Sequence, residues 1–138
     1  MNPGHRINFK KTAAVLVVIT ISFLMFGFAF KTKKPEVRFM GTKKGTIDKL
    51  TFIAAKKLEL NNNPDTLWQI VGYEFDFNCS GNVILKYYKT DKIEREILEM
   101  VRDCKAEKSL ADFINIKAKN KKTGEEIVLN EIELSVLK

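Results

Sequence analysis

The 138-residue sequence predicts an α+β protein, in which one N-terminal transmembrane helix precedes a small β-rich domain. We expect the domain to contain an antiparallel hairpin, one amphipathic helix and a second antiparallel hairpin. Residues 12–30 are uncharged, two later segments alternate apolar and polar side chains, and the segment between them has helical spacing. The composition, 45% hydrophobic and 30% charged, excludes collagen-like and fully disordered chains.

The first element is a transmembrane anchor over residues 12–30, which follows a basic N-terminal tail over residues 1–11. About 20 helical residues span the hydrocarbon core of a bilayer, and this run has almost that length. A basic stretch before an apolar run is also typical of cleaved export signals, and Ala29 ends a small-residue cleavage site. The apolar run is longer than that of most cleaved signals, which favours an uncleaved anchor.

A basic linker is predicted for residues 31–45, because this stretch has no sustained apolar period and contains Pro35. Its cations are expected either to be solvated or to attract anionic lipid headgroups. The candidate lipid-facing side chains are Lys31, Lys33, Lys34, Arg38, Lys43 and Lys44. The excess of lysine on this flank favours a cytoplasmic C-terminal domain under the positive-inside rule, whereas the basic N-terminal tail favours export.

The single β-rich domain is predicted for residues 46–138. Its first hairpin uses Tyr73, Phe75 and Phe77, which alternate with polar residues as in a half-buried strand. Gly72 is expected to mark a bulge or a close approach of the backbone. After a turn at residues 80–82, residues 83–88 form the return strand.

The amphipathic helix is predicted between Thr90 and Lys105. Its apolar residues recur at helical spacing and are Ile93, Ile97, Met100, Val101 and Cys104. Asp91 and Glu94 have the spacing of an N-terminal capping pair.

The second hairpin is predicted from the alternation in residues 113–119 and a loop at residues 120–124 that ends in glycine. Apolar residues then occupy odd positions as far as Leu129 and even positions from Ile132. This change of parity predicts a β-bulge near Asn130 and Glu131.

The residue types required for common catalytic sites are missing from this domain. The sequence has one histidine, His5, and it precedes the membrane segment. No P-loop, dinucleotide-binding glycine motif or HExxH motif occurs. We therefore predict no enzymatic activity, no catalytic or metal-binding residues and no cofactor. The net charge of +7 is only weak support for nucleic-acid binding, and none is expected.

Cys79 and Cys104 both lie on the apolar side of their predicted elements, which leaves two interpretations. They are either small buried thiols or a disulfide, and a disulfide requires an oxidising compartment. Trp68, Tyr87 and Tyr88 are candidate contact residues, although packing in the core is the simpler interpretation for Trp68. Tyr87 and Tyr88 are adjacent in a strand, so their side chains point to opposite faces.

The pattern of apolar residues in residues 45–138 resembles the C-terminal domain of the gliding-motility protein GldM of Bacteroidetes. The segments that carry the resemblance are residues 45–49, 71–77, 93–104 and 113–119, followed by Gly124, Leu129 and Ile132. The resemblance implies a β-rich periplasmic module that makes protein contacts without catalysis. The membrane helix of that motor carries an acidic residue linked to proton use, and residues 12–30 have none, so its motor function is not carried over.

These observations predict a single-pass inner-membrane protein whose domain faces the periplasm. Its expected partners are membrane lipid, through residues 12–30, and another envelope protein. The alternative is a cytoplasm-facing membrane adaptor whose basic linker binds anionic lipid or nucleic acid. A third reading is a secreted protein that is cleaved after Ala29.

Overall fold

The computed structural model describes residues 34–63 and 66–138. The predicted tail and anchor, with Lys31 and Lys33, lie outside the described residues. In the described residues no helix is both long and apolar enough to cross a membrane. The elements are β1 (Glu36–Arg38), β2 (Lys44–Asp48), α1 (Lys49–Ala54), β3 (Glu59–Asn61), β4 (Trp68–Cys79), β5 (Asn82–Tyr88), α2 (Arg95–Asp103), β6 (Lys108–Asn120), β7 (Glu126–Val128) and β8 (Ile132–Leu137).

The strands confirm a small β-rich domain. The main sheet has the order β2-β8-β6-β4-β5, and β7 also pairs with β6. The predicted hairpins β4–β5 and β6–β7 are antiparallel, as expected, but β2 runs parallel to β8. The sheet is therefore mixed rather than antiparallel throughout, because β2, which spans the boundary between the predicted linker and the predicted domain, joins its edge. β1 and β3 form a separate antiparallel pair.

One face of the main sheet carries the core, and we call it the inner face. Tyr73, Phe75 and Phe77 of β4 and Phe113 of β6 are buried there. Residues from the two helices join the same cluster, with Phe52 from α1 and Ile97 and Val101 from α2. The alternation of apolar residues seen in the sequence thus corresponds to one covered face of the sheet.

The expected linker is part of the domain from Glu36 onward. Val37 and Phe39 are fully buried. The ring centre of Phe39 lies 4.7 Å from that of Phe52 and 5.3 Å from that of Phe113. The side-chain amide of Asn130 also accepts a hydrogen bond from the Val37 N–H at 2.9 Å and donates one to the Val37 carbonyl at 3.0 Å. Only two apolar residues alternate in this segment, so the lysines around them obscured the pattern.

Both helices differ from the sequence prediction. The unexpected helix α1 begins after Asp48, whose carboxylate accepts a hydrogen bond from the Thr51 N–H at 2.8 Å. Helix α2 begins only at Arg95, with Glu94 as an N-cap residue that makes no capping bond. The predicted cap Asp91 is not used, because residues 91–93 bond to residues 56–58 through their backbones instead.

In three neighbouring strands, the buried side chains switch between even-numbered and odd-numbered residues at the same height in the sheet. The pairs on either side of the change are Ile70 and Tyr73 in β4, Phe113 and Ile116 in β6, and Leu129 and Ile132 around the β7–β8 junction. The pairing of β4 with β6 also shifts on both sides of Gly72, which confirms the predicted irregularity there.

The bulge expected near Asn130 and Glu131 is not an insertion in one strand. Lys117 of β6 pairs with Val128 of β7, and Phe113 of β6 pairs with Ile132 of β8. Both chains therefore advance four residues between these two pairs, so neither has an extra residue. Strand β6 makes the matching change at Asn115, which has a φ of 48°. The sequence showed the parity change in the last strands but not the compensating change in their neighbour.

Gly72 is the position where the sheet tolerates no side chain. A Cβ atom built there would lie 2.7 Å from Tyr87 Oη and 2.8 Å from the backbone oxygen of Tyr88. The tyrosine hydroxyl can move, but the backbone oxygen of a paired strand cannot move without disturbing the sheet.

We therefore expect Gly72→Ala to lower the free energy of unfolding by about 1–3 kcal/mol, as overpacking does. Urea denaturation of the full chain in mild detergent, followed by the fluorescence of Trp68, measures this change. Gln69→Ala on the same strand is the control and should change stability by less than about 0.5 kcal/mol. Tyr87→Phe should rescue Gly72→Ala only in part, because the Tyr88 oxygen remains. Equal stability of Gly72→Ala and wild type would contradict the proposed clash.

Candidate interaction surface

The face of the main sheet opposite the core, called here the outer face, is not covered by a helix among the described residues. Residues that alternate with the core residues project from it. On β4 they are Glu74, Asp76 and Asn78, which are half-buried. Residues directly opposite on neighbouring strands share this face, so the strand pairing identifies the rest of the surface.

Strand β5 contributes an apolar stripe to the outer face, made of Val83, Leu85 and Tyr87. Each lies opposite a polar residue of β4. Their exposed fractions are 62%, 59% and 48%, respectively. Large apolar side chains that share one exposed face are typical of contact surfaces.

An acidic row crosses the outer face beside this stripe. Asp76 pairs with Asp112 of β6, which pairs with Glu133 of β8. Lys44 lies 2.5 Å from the Glu133 carboxylate. The pKa of Asp112 is raised by burial and by the charges of Asp76, Glu133 and Glu131, although a hydrogen bond from the Leu134 N–H lowers it. The row therefore holds like charges close together, which costs stability.

The three predicted aromatic contact residues lie in different environments. Tyr87 is exposed on the outer face, whereas Tyr88 is half-buried on the inner side and donates a hydrogen bond to Glu96 at 3.1 Å. Burial and the Glu96 carboxylate raise the pKa of Tyr88 to about 12. Trp68 is half-buried against the core and lines an open cleft of about 590 Å³ at the other end of β4. The structure does not bring the three rings into one patch.

Most of the described candidate lipid-facing cations have acidic neighbours in the domain. Lys43 lies 3.0 Å from Glu36, and Arg38 lies 3.9 Å from the same carboxylate. Lys44 is paired with Glu133, as described above. Lys34 is exposed. The Lys43 and Lys44 pairs each join two segments of the fold, whereas the Arg38–Glu36 pair lies within β1.

The two cysteines form a disulfide. Cys79 is the last residue of β4 and Cys104 directly follows α2, and their Cα atoms are 6.0 Å apart. Cys104 is buried and Cys79 is half-buried against the core. The disulfide closes a loop that contains β5 and α2, so it ties the end of β4 to the end of α2.

In the described part of the chain, no group of three or more His, Cys, Asp or Glu side chains could hold a metal ion. The buried hydroxyl of Tyr73 donates a hydrogen bond to the Lys92 carbonyl at 2.6 Å, and burial raises its pKa. This arrangement holds the loop before α2 in place.

The sequence predicted that Tyr87 and Tyr88 point to opposite faces, but it did not identify Val83, Leu85 or the acidic row. Residues 83–85 are a continuous apolar run without alternation, which does not reveal the buried face of a strand. The acidic row is formed by strands that are distant in sequence, so no local pattern reports it.

In comparisons with known proteins, no family model and no curated protein matches this chain.

Removal of the disulfide should cost stability without changing the fold. A closed loop with a sequence separation of 25 residues is expected to contribute about 3–4 kcal/mol in the chain-entropy model. We expect the double variant Cys79→Ser with Cys104→Ser to lose this amount in urea denaturation. Wild type in reducing agent should lose a similar amount, whereas the double variant should not respond to reductant. A response of the double variant would contradict the assignment.

Asp112→Asn should stabilise the domain at pH 7 and lose this advantage in acid. Because the folded state raises the pKa of Asp112, this group lowers stability as the pH rises from the ordinary pKa of 3.8 to the folded-state pKa, and the loss is complete above it. Below the ordinary pKa of 3.8 the side chain is neutral in both states, so variant and wild type should converge. Urea midpoints measured from pH 3 to pH 7 provide the test. Glu107→Gln, at a side chain that is 87% exposed, is the control. A constant difference between Asp112→Asn and wild type at all pH values would contradict this expectation.

Proposed function

We propose that this chain is a single-pass, membrane-anchored protein whose non-catalytic domain faces the periplasm and binds another envelope protein. The observation that carries the proposal is the disulfide between Cys79 and Cys104. Disulfides persist in oxidising compartments and are rare in the bacterial cytoplasm. The uncharged run at residues 12–30 supports the anchor, because its length is close to that of a membrane-spanning helix.

The proposed binding role is supported by the outer face of the sheet. Its exposed apolar stripe on β5 lies beside an acidic row, a combination of chemistries that suits protein contacts. The resemblance of residues 45–138 to the GldM C-terminal domain supports the same role. On that basis, we propose that the domain is related to those of gliding-motility and secretion machinery.

A second candidate is a cytoplasm-facing adaptor that binds anionic lipid or nucleic acid. The lysine-rich flank after residue 30 favours it under the positive-inside rule. Its cations include Arg38, Lys43 and Lys44, which have carboxylate partners within the domain. This pairing reduces the charge available for lipid and favours the first proposal.

A fusion of alkaline phosphatase after Lys138 tests the orientation, because this enzyme is active only after export. We expect high activity, together with retention of the unprocessed chain in membranes after a carbonate wash. Val17→Arg, which interrupts the apolar run, is the matched control and should release the chain from the membrane.

Other outcomes identify the alternatives. An inactive phosphatase fusion with the chain still in the membrane would overturn the periplasmic orientation and support the cytoplasmic adaptor. A shortened chain that is released by carbonate would support cleavage after Ala29.

A further inference from the structure

Strand β5 is an edge strand without the features that usually protect an edge. On one side it pairs with β4 over seven residues with a regular register, and on its other side no described strand pairs with it. Its sequence contains no proline and one charged residue, Lys86. Natural edge strands are commonly shielded by charges, prolines, bulges or short length.

The charge of Lys86 is already neutralised within its own chain. Its ammonium group contacts the carboxylate of Glu96 on α2. The opposite edge of the sheet, β2, is shorter and carries Lys44 and Asp48. The two edges therefore differ. Among the described strands, β5 pairs on one side only and offers the backbone groups of its other side, together with exposed apolar side chains, to an incoming strand.

We propose that β5 pairs with β5 of a second copy of this chain, antiparallel and centred on Leu85, to join two sheets into one. This interface goes beyond the proposed membrane anchoring and partner binding. In this register Leu85 lies opposite its own symmetry mate and Val83 lies opposite Tyr87. The apolar stripes of the two copies then share one face, since directly opposite residues point to the same side.

Strand length and charge together select this register over its neighbours: a centre at Ile84 would align only residues 82–86 of the two strands. A register centred on Leu85 aligns all of residues 82–88 and places Lys86 opposite the apolar Ile84. A shift of the centre to Lys86 would place two lysines directly opposite each other, which is unfavourable. A second copy is thus complementary to this edge without any change in the Lys86–Glu96 pair.

The interface is small, because it consists of one strand and three exposed side chains on each copy. Interfaces of this size are typically weak in dilute solution. Confinement of both copies to one membrane would raise their effective concentration, so a weak contact becomes populated. Only this increase in effective concentration rests on the proposed membrane anchor.

Disulfide trapping of single-cysteine substitutions tests the register in the full chain, reconstituted into lipid vesicles at low protein density. Leu85→Cys should form a covalent dimer on mild oxidation, because the two introduced thiols face each other. Val83→Cys and Tyr87→Cys should each remain monomeric alone, since their symmetry mates lie four residues away, and should cross-link when the two variants are mixed. Val128→Cys, at a residue that is 65% exposed on β7, is the control for random collision.

The outcomes are distinct. Cross-linking of Leu85→Cys at least fivefold above Val128→Cys, with the mixed pair also above it, supports the proposal. Equal cross-linking at all positions, stronger self-cross-linking of Val83→Cys or Tyr87→Cys, or monomer only would overturn it. Flotation of the vesicles reports anchoring separately: chains that float without a Leu85 cross-link contradict the pairing but not the anchor.

A second measurement avoids introduced thiols. Sedimentation of the detergent-solubilised wild-type chain should show a monomer–dimer equilibrium at high concentration. Leu85→Lys places two lysines opposite each other and should raise the dissociation constant of the dimer at least tenfold. Val128→Lys should not change this constant. A wild-type chain that remains monomeric at all concentrations, or an equal response of both variants, would overturn the proposal.

Discussion

The packing around Phe113 is the constraint on which the rest of the domain depends. This ring lies in the central strand β6. The ring centres of Phe39, Tyr73 and Phe75 lie within 5.4 Å of its own centre. Phe39 directly follows β1, and Tyr73 and Phe75 belong to β4. The ring centre of Phe52 of α1 lies 6.4 Å from that of Phe113 and extends the cluster to the first helix. Segments distant in sequence are therefore joined by one aromatic cluster, and aromatic burial is among the largest stabilising contributions available to a small domain.

Local patterns predicted those parts of the fold whose neighbours are also local. The alternation at Tyr73–Phe77 and the loop that ends at Gly124 identified both hairpins, because two-residue periodicity directly reports a half-buried strand. The place of β1 and the parallel pairing of β2 with β8 could not be predicted, because they depend on contacts such as that between Val37 and Asn130, which lie 93 residues apart. The late start of α2 has the same cause: a contact with residues 56–58 competed with the cap.

The outer face shows why interaction surfaces are harder to predict than cores. Val83 and Leu85 are as apolar as any core residue, and only the pairing of β5 with β4 assigns them to the uncovered side. The row of Asp76, Asp112 and Glu133 is likewise created by strand register rather than by sequence proximity. The parity change shared by β4, β6 and the β7–β8 junction preserves this division, because it keeps apolar side chains on the inner face at both ends of the sheet.

The covalent link between Cys79 and Cys104 also has a consequence for how the domain loosens. Fraying usually starts at peripheral strands, which separate from a structure before its centre does. Here β5 and α2 belong to one closed ring of chain, so the edge cannot drift far from the centre even when its backbone hydrogen bonds break. An opened edge therefore starts its return from a restricted set of conformations, because the closed ring limits how far its chain can spread.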